Sequence, residues 1–320
     1  MPSLLTKCPI CDSDRTRYRW TAVDTLDKPW RYDICHDCNA IFLNPMPESS
    51  ELDKYYSQDY YGPDHRRFVK EVEYTVLLFR RARAMRVMRT VPRGSSVLDV
   101  GCGRGVFLEI LAKRGYRCLG IERSEASGRD AKKRVDVKIG NFEELDLPGE
   151  SFDLVTFWQV IEHLQHPKNA IVESQRILKP GGKMLIQAPN PESLQACAGP
   201  SWFHLDSPRH IFLFPLSCID RMAAQSGFVR EKVSTLNFEY SPFGMLQSLW
   251  NMMGVKRDML YEMLMAAPNE TSETSTPKNA ALFAASAIAA PLAGLLSLVE
   301  WAVGKGGIIE ATYIKKPIKR

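Results

Sequence analysis

Residues 92–239 predict an α/β fold on a doubly wound, Rossmann-like parallel sheet, and three features point to it. Val97 to Phe107 reads VLDVGCGRGVF, an apolar run that ends in an acid and a glycine turn opening onto a helix. Strand and helix patterns then alternate, and repeated β–α order builds parallel sheets. Ile177 to Pro189, ILKPGGKMLIQAP, supplies a helix end, a Pro-Gly-Gly turn and a fifth strand. With 320 residues, 45% hydrophobic and 25% charged, the chain has room for one such domain plus appendages. No signal peptide opens it, so a cytoplasmic location is expected.

Residues 1–45 form the first appendage. Cys8-Pro9-Ile10-Cys11 and Cys35-His36-Asp37-Cys38 are two C-x-x-C knuckles separated by 23 residues. Four thiolates from two tight turns surround Zn²⁺ tetrahedrally, and the metal replaces the core that so short a segment lacks. Cys8, Cys11, Cys35 and Cys38 are therefore read as a structural zinc ribbon, against unligated cysteines or a redox pair. The linker is slightly longer than the usual spacing. Four sulfur ligands leave no open position, so this zinc is not expected to be catalytic. The eight cysteines of the chain fit metal ligands and buried thiols better than disulfides.

Residues 46–91 read as a connector and a basic helix. Tyr55, Tyr56, Tyr60 and Tyr61 are its aromatic part, expected to pack. The helix, from about Arg66 to Arg89, carries Arg80, Arg81, Arg83, Arg86 and Arg89. A solvated face is the default reading, and contact with phosphate of a nucleotide sugar or anionic lipid is the sharper one.

In the core, Asp99 sits at the carboxyl end of the first strand, and Gly101, Gly103 and Gly105 let the backbone bend and approach a ligand closely. A pyrophosphate-binding G-x-G-x-x-G loop would place its third glycine at Val106, and an acid before the loop repels phosphate. A carboxylate there suits an ammonium or sulfonium ligand, which points to S-adenosylmethionine. Arg117 to Arg123, RCLGIER, ends a second strand in Glu122, placed to take two ribose hydroxyls. Asn141 and Phe142 follow the third strand as candidates for the adenine edge and face. Gln159, at the exit of the fourth strand, completes the cofactor-binding set.

Together these segments resemble the class I S-adenosylmethionine-dependent methyltransferases, in particular the broad bacterial group related to quinone O-methyltransferases and to sugar or polysaccharide methyltransferases. The resemblance spans about Pro92 to Leu236. It implies a seven-stranded sheet with an antiparallel final strand at its edge, for which Ile308 to Lys316 has the alternation, and Phe228 to Leu236 would be the strand before. An N-terminal ribbon followed by a segment such as NPMPESSELDKYYSQDYY is also familiar there, and the helix before the first strand often covers the cofactor. For transfer to a hydroxyl, candidate bases should follow the fourth or fifth strand. Glu162 and His163, in QVIEHL at the start of the next helix, are the first pair, and His204 and His210, with Asp206, in WFHLDSPRHIFLF, the second. His163 has an equally plain reading as a structural histidine. In the related quinone enzymes an E-x-x-E-H segment holds a divalent metal; Gln159 replaces its first acid here, so a catalytic metal is not expected.

Residues 240–307 form an apolar insertion before a final strand and basic tail at 308–320. PFGMLQSLWNMMGV looks amphipathic, Asn269 to Lys278 reads as a loop, and Ala280 to Val299 contains no charged residue. Pro291 and Gly294 are expected to interrupt that run, and both ends must return to the sheet. The reading is therefore an apolar helical hairpin that dips into or lies on the membrane, or else folds as a hydrophobic lid or homodimer surface. Lys315, Lys316, Lys319 and Arg320 favour membrane. The partner expected is a small-molecule or lipid-linked glycan acceptor in envelope biosynthesis, with the protein cytoplasmic and peripheral or monotopic at the inner face of the membrane. Nucleic acid is disfavoured, because the fourth strand exits as FWQV without the N/D-P-P-Y/F segment used on exocyclic amines and without a Pro-Cys nucleophile. An RNA methyltransferase that uses the ribbon as reader, and a non-catalytic membrane-associated scaffold, are the competing readings.

Overall fold

The computed structural model describes residues 3–56, 68–265 and 277–317. Strands β1 (Thr16–Val23), β2 (Pro29–Cys35) and β3 (Ile41–Leu43) precede helix α1 (Lys70–Thr90). Then come β4 (Ser96–Val100), α2 (Val106–Ala112), β5 (Arg117–Glu122), β6 (Asp136–Ile139), β7 (Phe152–Trp158), α3 (Pro167–Ile177) and β8 (Leu178–Pro189). The chain continues through β9 (Phe212–Leu213), α4 (Leu216–Gln225), β10 (Phe228–Ser234), α5 (Ser241–Met252), α6 (Met259–Leu264), α7 (Pro277–Ala302) and β11 (Ile308–Lys315). The expected start of α1 near Arg66, the tyrosines Tyr60 and Tyr61, and most of the Asn269–Lys278 loop lie outside the described residues.

Two compact units share the chain in alternation. One comprises Met1–Glu73, Pro189–Cys218 and Thr235–Ile309, the other Tyr74–Ala188, Ile219–Ser234 and Glu310–Arg320. Each is thus assembled from three segments rather than from the consecutive blocks read in the sequence.

The second unit holds the sheet, ordered β10-β11-β8-β7-β4-β5-β6 among the described residues. β4 runs parallel to β5 and β7, β5 to β6, and β7 to β8. Strand order reverses between β4 and β7, and at such a switch point the loops diverge and leave a crevice at the carboxyl edge. Val97 and Leu154 from the strands pack with Phe107, Leu108 and Leu111 of α2, with Val87 of α1 and with Val91 just after it. Phe107 meets Trp158 edge to face at 5.7 Å.

β11 does not lie at the edge. It sits between β10 and β8, antiparallel to β10, and β10 is the edge strand. Burial explains the order: nearly every residue of β11 is buried, whereas β10 exposes Arg230, Glu231 and Lys232, charges that blunt an edge. Lys315 consequently leaves the basic tail. It is 3% exposed and its Nζ donates to the Leu178 carbonyl at 2.6 Å. Lys319 and Arg320 lie outside the described residues. Pro180–Gly182, expected as a turn before the strand, falls within the bounds of β8, but the register slips there by three residues, the partner of Phe152 being Leu178 and that of Leu154 already Lys183, with Gly181 turning at a φ of +75°.

In the first unit, β1, β2, β3 and β9 form a four-stranded antiparallel sheet. Trp30, Tyr32, Trp202, Leu205 and Leu213 make its core. The Tyr32 hydroxyl lies 3.1 Å from the carbonyls of Leu205 and His210, tying residues 205–210 to the ribbon. α5, α6 and α7 form a separate helical cluster around Leu246, Leu260 and Ala293. Pro291 and Gly294 do not interrupt α7, which is one helix of 26 residues. Proline has no N–H, so position 291 donates nothing to the Ala287 carbonyl.

Candidate functional site

The glycine loop after β4 is held from below by β5. The N–H groups of Gly101 and Cys102 both donate to the Ile121 carbonyl, at 2.9 and 3.1 Å. Gly101 and Gly103 have φ of +69° and +55°, left-handed values that L side chains adopt at a cost. A Cβ on Gly101 would fall 2.6 Å from Val160 Cγ2, whereas one on Gly103 would meet nothing within 4 Å. Open space over Gly103 is the cradle that the loop preserves.

Two carboxylates converge on it. Glu122, at the end of β5 and 8% exposed, accepts a short hydrogen bond from the Gly103 N–H. Burial pushes its carboxyl up, opposed by that N–H, Ser127 and the Arg123 N–H. Asp99, 4% exposed, accepts from Thr156 Oγ at 2.7 Å across the β4–β7 pair. Burial raises its pKa to about 7, against the pull of Thr156, Arg83 and Arg80. Gln159, with φ of +57°, donates its N–H to the Gln187 carbonyl at 2.8 Å and leaves Nε2 buried without a partner. A pair of buried carboxyl groups, an open glycine and an orphaned amide fit a ligand with an ammonium and a diol, as S-adenosylmethionine has.

The arginines of α1 are not all solvated. Arg83 is 4% exposed and lies over the Trp158 ring, 4.9 Å from its centre. Arg86 stands 5.8 Å from the same ring and pairs with Glu310, which also accepts from Gln187 Nε2 at 2.9 Å. Sequence reasoning missed this array of Arg83, Arg86 and Trp158. Its signal is position: Arg83 flanks the buried stripe Ala84, Val87, Val91, so it turns inward with that stripe.

Other expectations change. Phe142 is 2% exposed and packs edge to face on Phe157 at 5.9 Å, so its ring belongs to the core rather than to an adenine face. Asn141 before it is exposed at the start of a 3₁₀ turn. Glu162 and His163 lie in a 3₁₀ turn, Ile161–His163, ahead of α3 rather than in its first turn; Glu162 is buried and His163 partly so. Pro167 explains the delay, since proline suits the first turn of a helix.

His204, Asp206 and His210 belong to the first unit. His204 is buried among Trp202, Phe203 and Tyr240, and burial depresses its pKa to about 4, against the pull of Asp206. It is an interior histidine, neutral at physiological pH, whereas the sequence offered it as a candidate base. His210 Nδ1 donates to the His204 carbonyl at 2.7 Å, and its Nε2 lies 3.8 Å from Asp206.

The four ribbon cysteines converge, with all four Sγ atoms within 4.8 Å of one another. Cys8 and Cys38 are 3.6 Å apart, Cys11 and Cys35 3.5 Å. Tetrahedral Zn–S bonds of about 2.3 Å place sulfurs about 3.8 Å apart, so the set fits the ion. Both knuckles repeat one geometry: Ile10 N–H and Asp37 N–H each reach the first sulfur of their turn at 3.4 Å. Asp12 and Asn39 follow in left-handed conformation, their N–H groups bonded to the Cys8 and Cys35 carbonyls. Asp and Asn tolerate that conformation well.

With this geometry in hand, similarity to known proteins becomes informative. The methyltransferase-domain family matches residues 70–233. A probable S-adenosylmethionine-dependent methyltransferase of Mycolicibacterium smegmatis is 39% identical over 100 residues, 30% of this chain and 39% of that protein. A ubiquinone biosynthesis O-methyltransferase of Hahella chejuensis is 36% identical over 105 residues, 30% of this chain and 44% of that protein. The chain thus spans less than half the length of these two curated relatives. Among solved structures, the [4+2]-cyclase SpnF superposes with a TM-score of 0.51 at 17% identity, covering 85% of this chain and 97% of that one. That likeness is one of fold, and a fold does not set the reaction.

Proposed function

Because the chain belongs to the class I S-adenosylmethionine-dependent methyltransferases, we propose that it methylates a glycan, sugar-nucleotide or lipid-linked acceptor in cell-envelope biosynthesis, working from the cytoplasmic side. The observation that carries methyl transfer is the pair of buried carboxylates, Asp99 and Glu122, converging on the open glycine loop. When bound, S-adenosylmethionine supplies a methyl on a sulfonium, open to in-line displacement by a nucleophile. Asp99 would hold its ammonium and Glu122 its ribose hydroxyls. Gly103 leaves open space above the loop, and Arg80 and Arg83 favour the ionised form of Asp99 near neutral pH.

For a hydroxyl acceptor, His163 takes the proton, with Glu162 beside it in the same turn. His210 is the second choice. A lipid-soluble acceptor is supported by the quinone O-methyltransferases among the relatives and by the apolar surface of α7. One structural Zn²⁺ in the Cys8, Cys11, Cys35 and Cys38 set stabilises the ribbon and takes no part in transfer, since its four positions are filled.

Incubation of the full chain with methyl-labelled S-adenosylmethionine and whole-cell extract, followed by partition, tests the proposal. Label in the lipid or sugar-nucleotide fraction supports it. Label in RNA overturns the acceptor class, and tight cofactor binding with label in no fraction makes the protein a cofactor-binding scaffold.

A further inference from the structure

We infer that the outward face of α7 is a docking surface for an anionic lipid bilayer, on which the helix lies in the plane of the interface. The helix is amphipathic in reverse. Its buried residues are Asn279, Ser286, Ala293, Ser297 and Glu300, which fall within an arc of about 60° at 100° per residue. Their polar groups are satisfied inward. Ser286 accepts from Trp250 Nε1 at 3.0 Å, and Glu300 accepts from the Gln195 N–H at 2.8 Å and Gln195 Nε2 at 3.0 Å. These bonds fix the rotation of the helix about its axis.

Large apolar side chains occupy the opposite side. Phe283, Ile288, Leu292, Leu295, Leu296, Leu298, Val299 and Trp301 are exposed, Ile288 to 82%, and they sweep an arc of about 220°. A helix pairing with a second copy needs only a narrow seam, whereas an arc this broad suits an apolar medium. Charge agrees. Lys278 and Lys305 are exposed at the two ends, and the only acid on the helix, Glu300, is turned inward. Trp301 stands where an amphipathic ring meets the headgroup level. Since one face is committed to α5, the helix is monotopic rather than spanning. This inference is independent of methyl transfer.

Flotation of the full chain with vesicles tests it. One set contains phosphatidylethanolamine and phosphatidylglycerol, the other phosphatidylcholine alone. The wild type should float with both and bind the anionic set more tightly. I288D/L295D should weaken binding to both at least roughly tenfold, and K278E/K305E should weaken only the anionic case. Zinc content and S-adenosylmethionine affinity, read on the same samples, show that the variants are folded. Should I288D/L295D fail to fold, brominated phosphatidylglycerol provides the second readout: it should quench wild-type fluorescence, and W301F should lose that quenching. A wild type that floats with neither vesicle overturns the inference, as does undiminished binding by I288D/L295D. So does a concentration-dependent dimer that I288D/L295D dissolves without any vesicle binding.

Discussion

The Arg83 guanidinium lies over the face of Trp158, 4.9 Å from the ring centre, and its charge bears on Asp99. A cation held this far from water on an aromatic face keeps its position, so it acts on the carboxylate as a fixed charge. Arg83→Met should keep the packing and remove the charge. The Asp99 pKa then rises above about 7, and S-adenosylmethionine affinity at neutral pH falls roughly tenfold per unit of rise, recovering in alkali. Titration calorimetry between neutral and alkaline pH reads this. A uniform loss at every pH would make Arg83 a packing residue only.

Asp99 itself should impose a pH dependence on the free protein. Its folded pKa, about 7, exceeds the ordinary 3.8, so the folded state binds this proton more tightly. The stabilisation is complete below pH 3.8 and is lost as pH rises through about 7. Asp99→Asn should therefore melt higher than wild type above neutrality, with the gap closing in acid, while losing cofactor binding. Thermal melts across that range decide the matter, and equal melting curves would place Asp99 in a more solvated setting.

A side chain at Gly101 should damage the cofactor loop in two separable ways. Gly101→Ala presses a Cβ against Val160 and holds alanine at a φ of +69°. The clash is worth about 1–3 kcal/mol and the left-handed backbone about 1–2 kcal/mol. Val160→Ala in the same chain should return the first part and not the second. Failure of the double variant to recover any stability would show that the backbone term dominates.

His204 predicts the opposite pH trend from Asp99. Its folded pKa, about 4, lies below the ordinary 6.5, so it stabilises the fold above pH 6.5 and that contribution is lost as pH falls towards 4. His204→Phe should flatten the acid limb of the melting profile. Turnover at saturating cofactor should be kept in this variant and fall in His163→Gln, and turnover lost in His204→Phe but kept in His163→Gln would reinstate His204 as base.

The zinc site should be measurable without any activity assay. The purified chain should carry about one zinc, and Cys38→Ser should lose most of it together with the cooperative unfolding of the ribbon. Full metal content in that variant would remove Cys38 from the ligand set.

What was legible in the sequence follows from what short-range pattern encodes. Asp99 and Glu122 end apolar runs and are followed by turns, so their place at the strand ends could be read directly. The knuckles were equally plain, because ligand spacing and the left-handed Asp12 and Asn39 are local. Long-range placement was not. β9 has two residues, too few for any period, so the fourth strand of the ribbon sheet left no mark. Phe142 and Lys315 were misread because composition does not say which face of an element meets the core. Arg83 was hidden for the same reason, a long cation being read as solvent-facing until its ring partner is known. In α7 the proline and glycine signalled a break that the packed polar face overrides.

The place of β11 inside the sheet bears on how the chain is made. Synthesis delivers β10 first and then residues 235–307 before Ile308 emerges, roughly 4–15 s at cellular elongation rates. Throughout that interval the strand that must separate β10 from β8 is missing, and β8 presents a bare row of backbone donors and acceptors to other nascent chains. The sheet that carries the cofactor loop therefore closes by insertion of a late strand between two early ones. Shortening the chain by the β11 segment would split the sheet rather than trim its rim, so this chain should depend on chaperones during translation more than its size suggests.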